Sequence, residues 1–485
     1  MSKKTGSYED LPLEELQLYA GIDALVTSKL RNRLMPALTR ERTYETLAGT
    51  LNMGSLYERD IRAVKSVALD FLIELEYTGI GFDLDYYFNL RQEVEHRLEA
   101  LRGKLGHLKF NLSSGPQLQD YVYEERGFIP RNFTAKGQPS VDYDSLVEFE
   151  DEEINLIAQH NELQSLFSTF LNSYHLNVKS DGRIHPNYNL HGTSSHRITG
   201  NNPNLTQLPK DTKGISVRSC FSAPRDYLFF AADQSSAEVK VLAAICRDAN
   251  LLKAVRDDLD FHSYTAALLM GMPYEEFVDI LTNGSKEQKA LHKTYRQNAK
   301  AVTFAILYGS TVRSVAMKLG KELPETQELF DLYFRNFPGI KDYVEDSHYA
   351  AKQNCQIITE LGQIRQEIGL YPYFGPKGPS RAEAVYNYSL RNSQNVRIQS
   401  TSSTLGLLIF SELAQRIKQL GGRAVCTVYD SVELEVPEQN RDAAIKMVKE
   451  TMEDWPQQVI PWLDFPIRVD IEAGTSWGNA EKIGR

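Results

Sequence analysis

The spacing of apolar residues changes several times along this chain, and each change predicts a change of secondary structure. An unbroken apolar run over residues 228–232 is typical of a buried strand, and it stops at Asp233. Val239, Val241 and Leu242 follow at a spacing that indicates the onset of a helix. The pattern predicts a strand that ends in a carboxylate at the rim of a sheet.

The same pattern recurs near the C-terminus. Residues 423–437 alternate as a strand, a tight turn at Tyr429-Asp430-Ser431 and a returning strand. Residues 467–474 add a further β segment. Asp430 is therefore a second aspartate at the end of an apolar strand. Aspartates in such places are more often turn formers or helix caps than metal ligands, so neither one identifies a site alone.

Helical spacing dominates the rest of the chain. Apolar residues recur at helical intervals over residues 11–30, and a charged stretch at 84–108 keeps leucines and a valine on one face. Residues 152–174 also read as helix, and another helix is predicted to begin near Ala384. These helices are equally compatible with a solvated bundle and with a grip on a nucleic-acid duplex.

One predicted helix carries a distinctive face. Arg296, Lys300, Phe304 and Tyr308 recur every four residues, and Gly309 is a natural helix stop. Two cations followed by two aromatic rings fit a ligand that has phosphate at one end and a flat ring at the other, such as a nucleoside triphosphate. A packed helix with a basic edge would show the same residues.

Two polar segments flank these features. The loop over residues 193–209 is rich in hydrogen-bonding groups, and Arg197, Asn204 and Gln207 would suit sugar and phosphate contacts. In the later helix Arg391, Asn395 and Gln399 form a polar row at intervals of four, which could face DNA or solvent.

Composition narrows the class of protein. The 485 residues are enough for roughly three domains, and 42% hydrophobic with 24% charged residues is ordinary for a globular protein. No run of about 18 apolar residues predicts a membrane span, and the first residues lack a secretory pattern. The four cysteines form no CxxC pair, which favours reduced thiols in a cytoplasm. The net charge of −10 leaves a local basic surface for nucleic acid open.

Two strand-end aspartates and a cationic, aromatic helix between them in sequence suit a two-metal phosphoryl-transfer site. In such a site two Mg²⁺ ions activate an attacking 3′-hydroxyl and stabilise the leaving pyrophosphate. Arg and Lys stabilise the charge of the triphosphate.

These motifs, in this order, resemble the family A DNA polymerases, which include bacterial DNA polymerase I and its phage relatives. Asp233, Ser235 and Glu238 match the first palm motif, and residues 296–309 match the fingers helix at each defining position. Asp260 and His262 match the Asp-x-His before the fingers, and residues 429–431 stand where the family has His-Asp-Glu. The resemblance implies template-directed addition of deoxyribonucleotides to a primer 3′ end, with pyrophosphate released.

The resemblance also implies an α+β right-hand fold with a thumb, a palm built on an antiparallel sheet, and helical fingers. The implied divisions are 1–45 (remnant of the end of an exonuclease domain), 46–180 (thumb and palm-entry helices), 181–250 (first palm part), 251–389 (fingers) and 390–485 (second palm part).

Roles follow from the matched positions. Two Mg²⁺ ions, with Mn²⁺ as a substitute, would be held by Asp233, Asp430 and the carbonyl oxygen of Gln234, and Lys300 could protonate the leaving pyrophosphate. The residues implied to contact the incoming nucleotide are Arg296, Lys300, Phe304, Tyr308, His262, Gln234 and Glu238, the last of which would exclude a 2′-hydroxyl. The residues implied to contact primer-template DNA are Arg197, Asn204, Gln207, Arg391, Asn395, Gln399 and Tyr429.

The chain departs from the family at several of these positions. Ser431 replaces a carboxylate, Tyr429 replaces a histidine, Gln234 is atypical and Ala305 stands where glycine is usual. We expect activity to persist, with an altered rate or fidelity.

The N-terminal segment resembles the last motif of the family's 3′–5′ exonuclease domain at Tyr19 and Asp23. The earlier exonuclease carboxylates have no counterpart, so we expect no intrinsic proofreading. Either a separately encoded exonuclease partners this chain, or the chain is a truncated form. The expected setting is a bacterial cytoplasm or a phage-infected host cell, with no membrane partner.

A single-subunit RNA polymerase is the rival enzyme, although Glu238 argues against it, and a DNA-binding accessory protein is the rival from another class.

Overall fold

The computed structural model describes residues 13–38, 41–46, 49–55, 67–134, 137–211, 214–370 and 379–484. The described chain opens with helix α1 (Leu13–Leu38) and an antiparallel ribbon of β1 (Glu41–Thr46) and β2 (Gly49–Ser55). The helix predicted over residues 11–30 is confirmed from residue 13 onward. Residues 56–66 lie outside the described residues.

A helical region follows. Its elements are α2 (Val67–Thr78), β3 (Ile80–Gly81), α3 (Leu84–Leu105), α4 (Gly115–Gln119), α5 (Tyr143–Val147) and α6 (Glu152–Leu166). Asp83 caps α3 by accepting a 2.9 Å hydrogen bond from the amide of Tyr86. The predicted apolar face of α3 is buried, and α3 packs against α6. The helix expected to run to residue 174 instead leaves α geometry after Leu166 and continues as a π-helical segment, Phe167–Leu171.

The next segment contributes short strands and the first long strand of the central sheet. These elements are β4 (Arg183–Ile184), β5 (Asn187–Asn189), β6 (Thr199–Asn201), β7 (Tyr227–Gln234) and α7 (Ala237–Cys246). β7 and α7 lie where the apolar run and the helix onset predicted them.

A second helical region lies between α7 and the C-terminal strands. Its elements are α8 (Ala249–Arg256), α9 (Phe261–Met270), α10 (Tyr274–Asn283), α11 (Lys286–Leu307), α12 (Val312–Leu319), α13 (Leu323–Asn336), α14 (Pro338–Asn354), β8 (Gln356–Ile358) and β9 (Ile364–Gln366). Ser285 and Gln288 form a reciprocal capping box that starts α11. Gly309, at φ 64°, ends this helical stretch as expected.

The C-terminal part returns to the sheet. Its elements are α15 (Pro379–Ile417), β10 (Arg423–Val428), β11 (Ser431–Pro437), α16 (Arg441–Lys449), α17 (Trp455–Val459), β12 (Val469–Gly474) and β13 (Glu481–Gly484). α15 begins at Pro379 rather than near Ala384. The implied boundary between residues 389 and 390 therefore falls inside one continuous helix.

The central sheet has five antiparallel strands in the order β10-β11-β7-β12-β13. Alternation along β7 gives the sheet two different faces. Phe230 and Ala232 point into the largest core cluster, shared with α7 and α15. On the other face Phe229 stacks on Trp477, with 5.8 Å between ring centroids, and the same face ends at Asp233. A mixed fold of helices around this antiparallel sheet agrees with the α+β class expected from the sequence. Among the described helices, none is both long and apolar enough to span a membrane.

Candidate active site

The two strand-end aspartates meet at one rim of the central sheet. β7 pairs with β11 so that Asp233 lies opposite Ser431, the residue that follows Asp430. The main-chain amide of Gln234 donates a 2.9 Å hydrogen bond to the carbonyl oxygen of Asp430. The sheet register therefore brings together two carboxylates that are far apart in the sequence.

Asp430 is presented by a two-residue hairpin turn between β10 and β11. Tyr429 has φ 55°, which is the left-handed conformation that such turns require. The Thr427 hydroxyl donates a 2.8 Å hydrogen bond to the carbonyl oxygen of Ser431, and the Ser431 hydroxyl lies 3.1 Å from the carbonyl oxygen of Val428. These bonds close the turn from both sides and fix the direction in which Asp430 leaves it.

The rim has an excess of negative charge. Surrounding protein raises the pKa of Asp233 to about 6, chiefly by desolvation and then through the charges of Asp430 and Asp470. Desolvation also raises the pKa of Asp430, while Arg197 opposes that rise. Asp470 lies opposite Asp233 on β12 and bonds Lys482 at 2.7 Å. Two carboxylates whose ionised forms disfavour each other are well suited to a bound divalent cation.

The described residues contain no group of three or more His, Cys, Asp or Glu side chains arranged to hold a metal ion. A cation at this rim would therefore depend on the Asp233 and Asp430 carboxylates and on oxygens that are not side chains of those types. Main-chain carbonyl, phosphate and water oxygens meet that need, and Mg²⁺ commonly keeps several such ligands. The donor set fits the predicted metal.

Helix α11 presents the four predicted side chains along one face. The rings of Phe304 and Tyr308 stack almost in parallel, 5.6 Å apart at 7°. The Lys300 ammonium lies 5.8 Å from the centroid of the Phe304 ring. Arg296, one turn earlier, binds both carboxylate oxygens of Asp260 at 2.8 and 3.1 Å. The face is thus cationic at one end and aromatic at the other, as the sequence predicted.

His262 lies beside the aromatic end of this face. Its ring centroid is 5.5 Å from that of Phe304, and its buried Nδ1 has no hydrogen-bond partner among the described residues. Burial lowers the pKa of His262 to about 4. Asp260 opposes this change, and the positive charges of Arg296 and Lys300 lower the pKa further. The imidazole is neutral at pH 7, so it can donate one hydrogen bond to an anion without adding positive charge.

A chain of polar contacts joins α11 to the sheet rim. The Tyr308 hydroxyl donates to Glu238 Oε2 at 3.2 Å, and Arg197 Nη2 donates to Glu238 Oε1 at 2.5 Å. The Arg197 guanidinium also lies 5.5 Å from the centroid of the Tyr429 ring. Burial and Glu238 raise the pKa of Tyr308, and Gln399 of α15 opposes that rise. Glu238, at the centre of these contacts, is buried. It lies only five residues beyond Asp233 in the sequence.

The polar row on α15 passes the end of α11. Gly309 approaches the backbone of Arg391 so closely that an added Cβ would lie 2.7 Å from the Arg391 carbonyl oxygen. Only glycine fits there. Arg391, Asn395 and Gln399 are all partly exposed, so solvent or a ligand can reach this row.

Two residues of the polar loop over 193–209, Asn204 and Gln207, differ in their surroundings. Asn204 Oδ1 accepts hydrogen bonds from the amide and the hydroxyl of Thr206, at 3.0 and 2.7 Å. Asn204 is therefore engaged in holding its own loop. Gln207 is exposed and is available to a ligand.

The sequence patterns missed three acidic residues of this region. Asp260 was matched as a motif residue, but its ion pair with Arg296 was not anticipated. Asp470 and Glu433 were read only as parts of β segments, although both line the cleft of about 610 Å³ that also contains Asp233 and Asp430. Alternating acidic and apolar residues in both segments were a usable signal, because acidic residues on the buried side of a strand are uncommon.

Comparisons with known proteins agree with this geometry. The family model for DNA polymerase family A matches residues 85–479. The chain is 28% identical over 468 residues to the thermostable DNA polymerase I of Thermus filiformis, covering 95% of this chain and 51% of that protein. It is also 28% identical over 487 residues to DNA polymerase I of Bacillus subtilis, covering 98% of this chain and 51% of that protein. The chain therefore spans about half the length of these relatives.

A solved structure extends the comparison to three dimensions. The POL domain of Pol1 from M. smegmatis, in complex with DNA primer-template and dNTP, superposes with a TM-score of 0.73 at 25% sequence identity. The match covers 87% of this chain and 72% of that structure.

Proposed function

Because this chain belongs to DNA polymerase family A, we propose that it is a DNA-directed DNA polymerase, which adds deoxyribonucleotides to the 3′ end of a primer on a DNA template. The observation that carries the proposal is the register that brings Asp430 beside Asp233 at the rim of the sheet. Support also comes from the M. smegmatis neighbour, whose structure contains primer-template DNA and dNTP.

Asp233 and Asp430, with the carbonyl oxygen of Gln234, would hold two Mg²⁺ ions, for which Mn²⁺ could substitute. When bound, such ions lower the pKa of the attacking hydroxyl and neutralise charge on the leaving pyrophosphate. The fit of the donor set and the raised pKa of Asp233 support this assignment.

The α11 face would bind the incoming nucleotide. Arg296 and Lys300 would contact the triphosphate, and the neutral imidazole of His262 would donate a hydrogen bond to it. Lys300, which is exposed, would deliver a proton to the leaving pyrophosphate. The stacked rings of Phe304 and Tyr308 provide a flat apolar surface for the base and sugar, and Gln234 lies beside the metal-binding rim.

Glu238 would select deoxyribose. It is 8% exposed and is held by Arg197 and Tyr308 from two sides. A carboxylate fixed in this way would exclude a 2′-hydroxyl, the group that distinguishes RNA from DNA. A single-subunit RNA polymerase would need room for that hydroxyl.

The residues that would contact the primer-template duplex are Arg197, Gln207, Arg391, Asn395, Gln399 and Tyr429. Asn204 would shape the loop that carries Arg197 and Gln207. The thumb, palm and fingers divisions given above remain proposals, with the fingers and the second palm part joined by α15. We place the reaction in a bacterial cytoplasm or an infected host cell because the cited curated relatives are bacterial DNA polymerases I.

The exonuclease-remnant assignment rests on Tyr19 and Asp23, and Asp23 is exposed on α1. A 3′–5′ exonuclease assay on labelled single-stranded DNA tests the prediction that the chain lacks proofreading. Degradation above a no-protein control, if it persists in an Asp23→Asn variant, would refute both the prediction and the motif assignment.

The function itself is tested by primer extension with Mg²⁺ and each of the four dNTPs. We expect template-directed extension by the intact chain and a loss of at least about 10³-fold in Asp430→Asn. Asp226→Asn is the matched control, because Asp226 lies just before β7 and is largely exposed. Extension that survives in Asp430→Asn would overturn the metal assignment, and efficient extension with ribonucleotides alone would favour the RNA polymerase.

A further inference from the structure

Glu433 is a buried carboxylate beneath the catalytic rim, and the proposed reaction assigns it no part. It lies on β11 in register with Ala231, two residue pairs deeper in the sheet than the pairing of Ser431 with Asp233. Its side chain is on the same sheet face as Asp233 and is only 1% exposed. It lines the cleft that contains Asp233 and Asp430.

A neighbouring glutamate shows what a structural buried carboxylate looks like in this sheet. Glu435 is two residues further along β11 and has a fully buried side chain. It pairs with Arg183 at 2.8 Å and with Arg423 at 2.6 Å. Its charge is therefore neutralised from two sides.

Glu433 has no such neutralisation. Its Oε1 lies 2.7 Å from the Ser431 hydroxyl, and its Oε2 has no hydrogen-bond partner among the described residues. The residue opposite it on β10 is Cys426, whose thiol is at most a weak donor. Burial raises the pKa of Glu433 to about 7, against the effects of Ser431 and Arg218. A buried carboxylate with this little compensation destabilises a fold.

The cation whose charge acts on Glu433, Arg218, is bound elsewhere. Arg218 donates hydrogen bonds to the carbonyl oxygens of Pro209 and Leu208, at 3.1 and 3.0 Å. Its guanidinium also lies 4.9 Å from the Trp477 ring. The ionised form of Glu433 is therefore largely uncompensated beneath two other carboxylates.

We propose that Glu433 is a positioning residue for the divalent cations of this site. Its charge strengthens the attraction of the rim for a cation, and its contact with Ser431 holds the turn that presents Asp430. Ser431 has one hydroxyl proton and two acceptors within reach, Glu433 Oε1 and the carbonyl oxygen of Val428, so the side chain of residue 433 and the shape of the turn are coupled. This inference rests on the proposed polymerase function.

The test measures Mn²⁺ binding directly, by electron paramagnetic resonance of free Mn²⁺. The intact chain is saturated with primer-template DNA that ends in a dideoxynucleotide and with the matching dNTP, so no bond forms. We expect Glu433→Gln to weaken Mn²⁺ binding about threefold to tenfold, the size of effect that one partly screened charge has at several ångströms.

Glu472→Gln is the matched control. Glu472 also lies in register with Ala231, on the other side of β7, and it lines the same cleft, but it is exposed. We expect its Mn²⁺ affinity to stay within about twofold of the intact chain, because exposed charges are screened by water. Equal weakening in both variants would overturn the specific role of Glu433.

Thermal unfolding separates this role from a structural one. Removing an uncompensated buried charge leaves the melting temperature of Glu433→Gln unchanged or higher. A lower melting temperature with unchanged Mn²⁺ affinity would show that Glu433 only supports the fold.

Relocating the charge gives a second, independent variant. Adding Ser431→Glu to Glu433→Gln returns a carboxylate to the same face, opposite Asp233, and should bring the Mn²⁺ affinity back to within about twofold of the intact chain. Absence of recovery would contradict the electrostatic part of the proposal. If the intact chain binds Mn²⁺ no better than Asp233→Ala does, the proposed metal site itself fails. If the intact chain binds Mn²⁺ better than Asp233→Ala does, but Glu433→Gln has the same Mn²⁺ affinity as the intact chain, only the inference about Glu433 fails.

Discussion

The rim of the central sheet and the cationic, aromatic face of α11 carry opposite charges, and their side chains are held in place in different ways. At the rim, main-chain pairing fixes Asp233 and Asp430, and desolvation followed by the charge of Asp430 raises the pKa of Asp233. On α11, Arg296 is already paired with Asp260. Under the proposed function the rim is ready for a cation, whereas Arg296 on the helix must exchange a protein carboxylate for a ligand phosphate.

From this comparison we expect the two regions to respond differently to substitution. The register of the sheet rim is held by main-chain hydrogen bonds, so replacing the side chain of Asp233 or Asp430 should remove chemistry while the strand pairing persists. The α11 face depends on side-chain ion pairs and stacked rings, so substitutions there alter binding and geometry together. The following experiments probe this contrast, from the largest expected effect to the smallest.

Lys300→Ala should have the largest effect on the helix side. Loss of the cation near the triphosphate should lower the rate of nucleotide addition about 10²- to 10³-fold, because it stabilises charge that develops on the leaving group. Single-turnover primer extension at saturating dNTP measures this rate. Lys293→Ala, also exposed on α11, is the control and should retain the intact rate. Similar losses in both variants would indicate a general charge effect of the helix.

Glu238→Ala tests the contact between the two regions. It should reduce discrimination against ribonucleotides about 10- to 100-fold, because the buried side chain that excludes the 2′-hydroxyl is removed. The measurement is the ratio of kcat/KM for a dNTP and its ribonucleotide. Glu238→Gln keeps the size of the side chain and should retain most of the discrimination. If the ratio is unchanged in Glu238→Ala, another residue selects the sugar.

Asp260→Asn should strengthen nucleotide binding. Asp260 caps α9 by accepting a 3.0 Å hydrogen bond from the amide of Ser263, and asparagine caps helices about equally well. The substitution therefore keeps the cap while it weakens the ion pair with Arg296. Since partly exposed ion pairs contribute at most about 1 kcal/mol, we expect the KM for dNTP to fall by up to about fivefold. A rise in KM would mean that Asp260 orients Arg296 for the ligand instead of competing with it.

The smallest effect concerns pH. The pKa of Asp233 in the folded chain, about 6, is above its ordinary value of 3.8, so the folded state binds this proton more tightly than the unfolded state. The contribution of Asp233 to stability should therefore rise as the pH falls from about 6 to about 4. Denaturant unfolding with EDTA at several pH values measures it, and Asp233→Asn should flatten the profile in this window. An identical profile in the variant would contradict the raised pKa.

Much of this arrangement could be predicted from local sequence. The strand ending at Asp233, the hairpin at Asp430 and the four residues of the α11 face depend on short-range spacing, which one sequence displays directly. The pairing of Arg296 with Asp260 and the burial of Glu433 depend on how distant segments pack. The start of α15 at Pro379 was missed because the preceding Gly-Pro cluster reads locally as a loop. Asn204 stays a predicted DNA contact, and its side-chain oxygen also accepts hydrogen bonds within its own loop.

The most direct test of the central claim is anomalous diffraction from crystals of the intact chain with dideoxy-terminated primer-template DNA, the matching dNTP and Mn²⁺. The account predicts two anomalous peaks between the carboxylates of Asp233 and Asp430 and the nucleotide phosphates. Peaks that contact neither aspartate, in a crystal whose nucleotide is fully ordered, would contradict it.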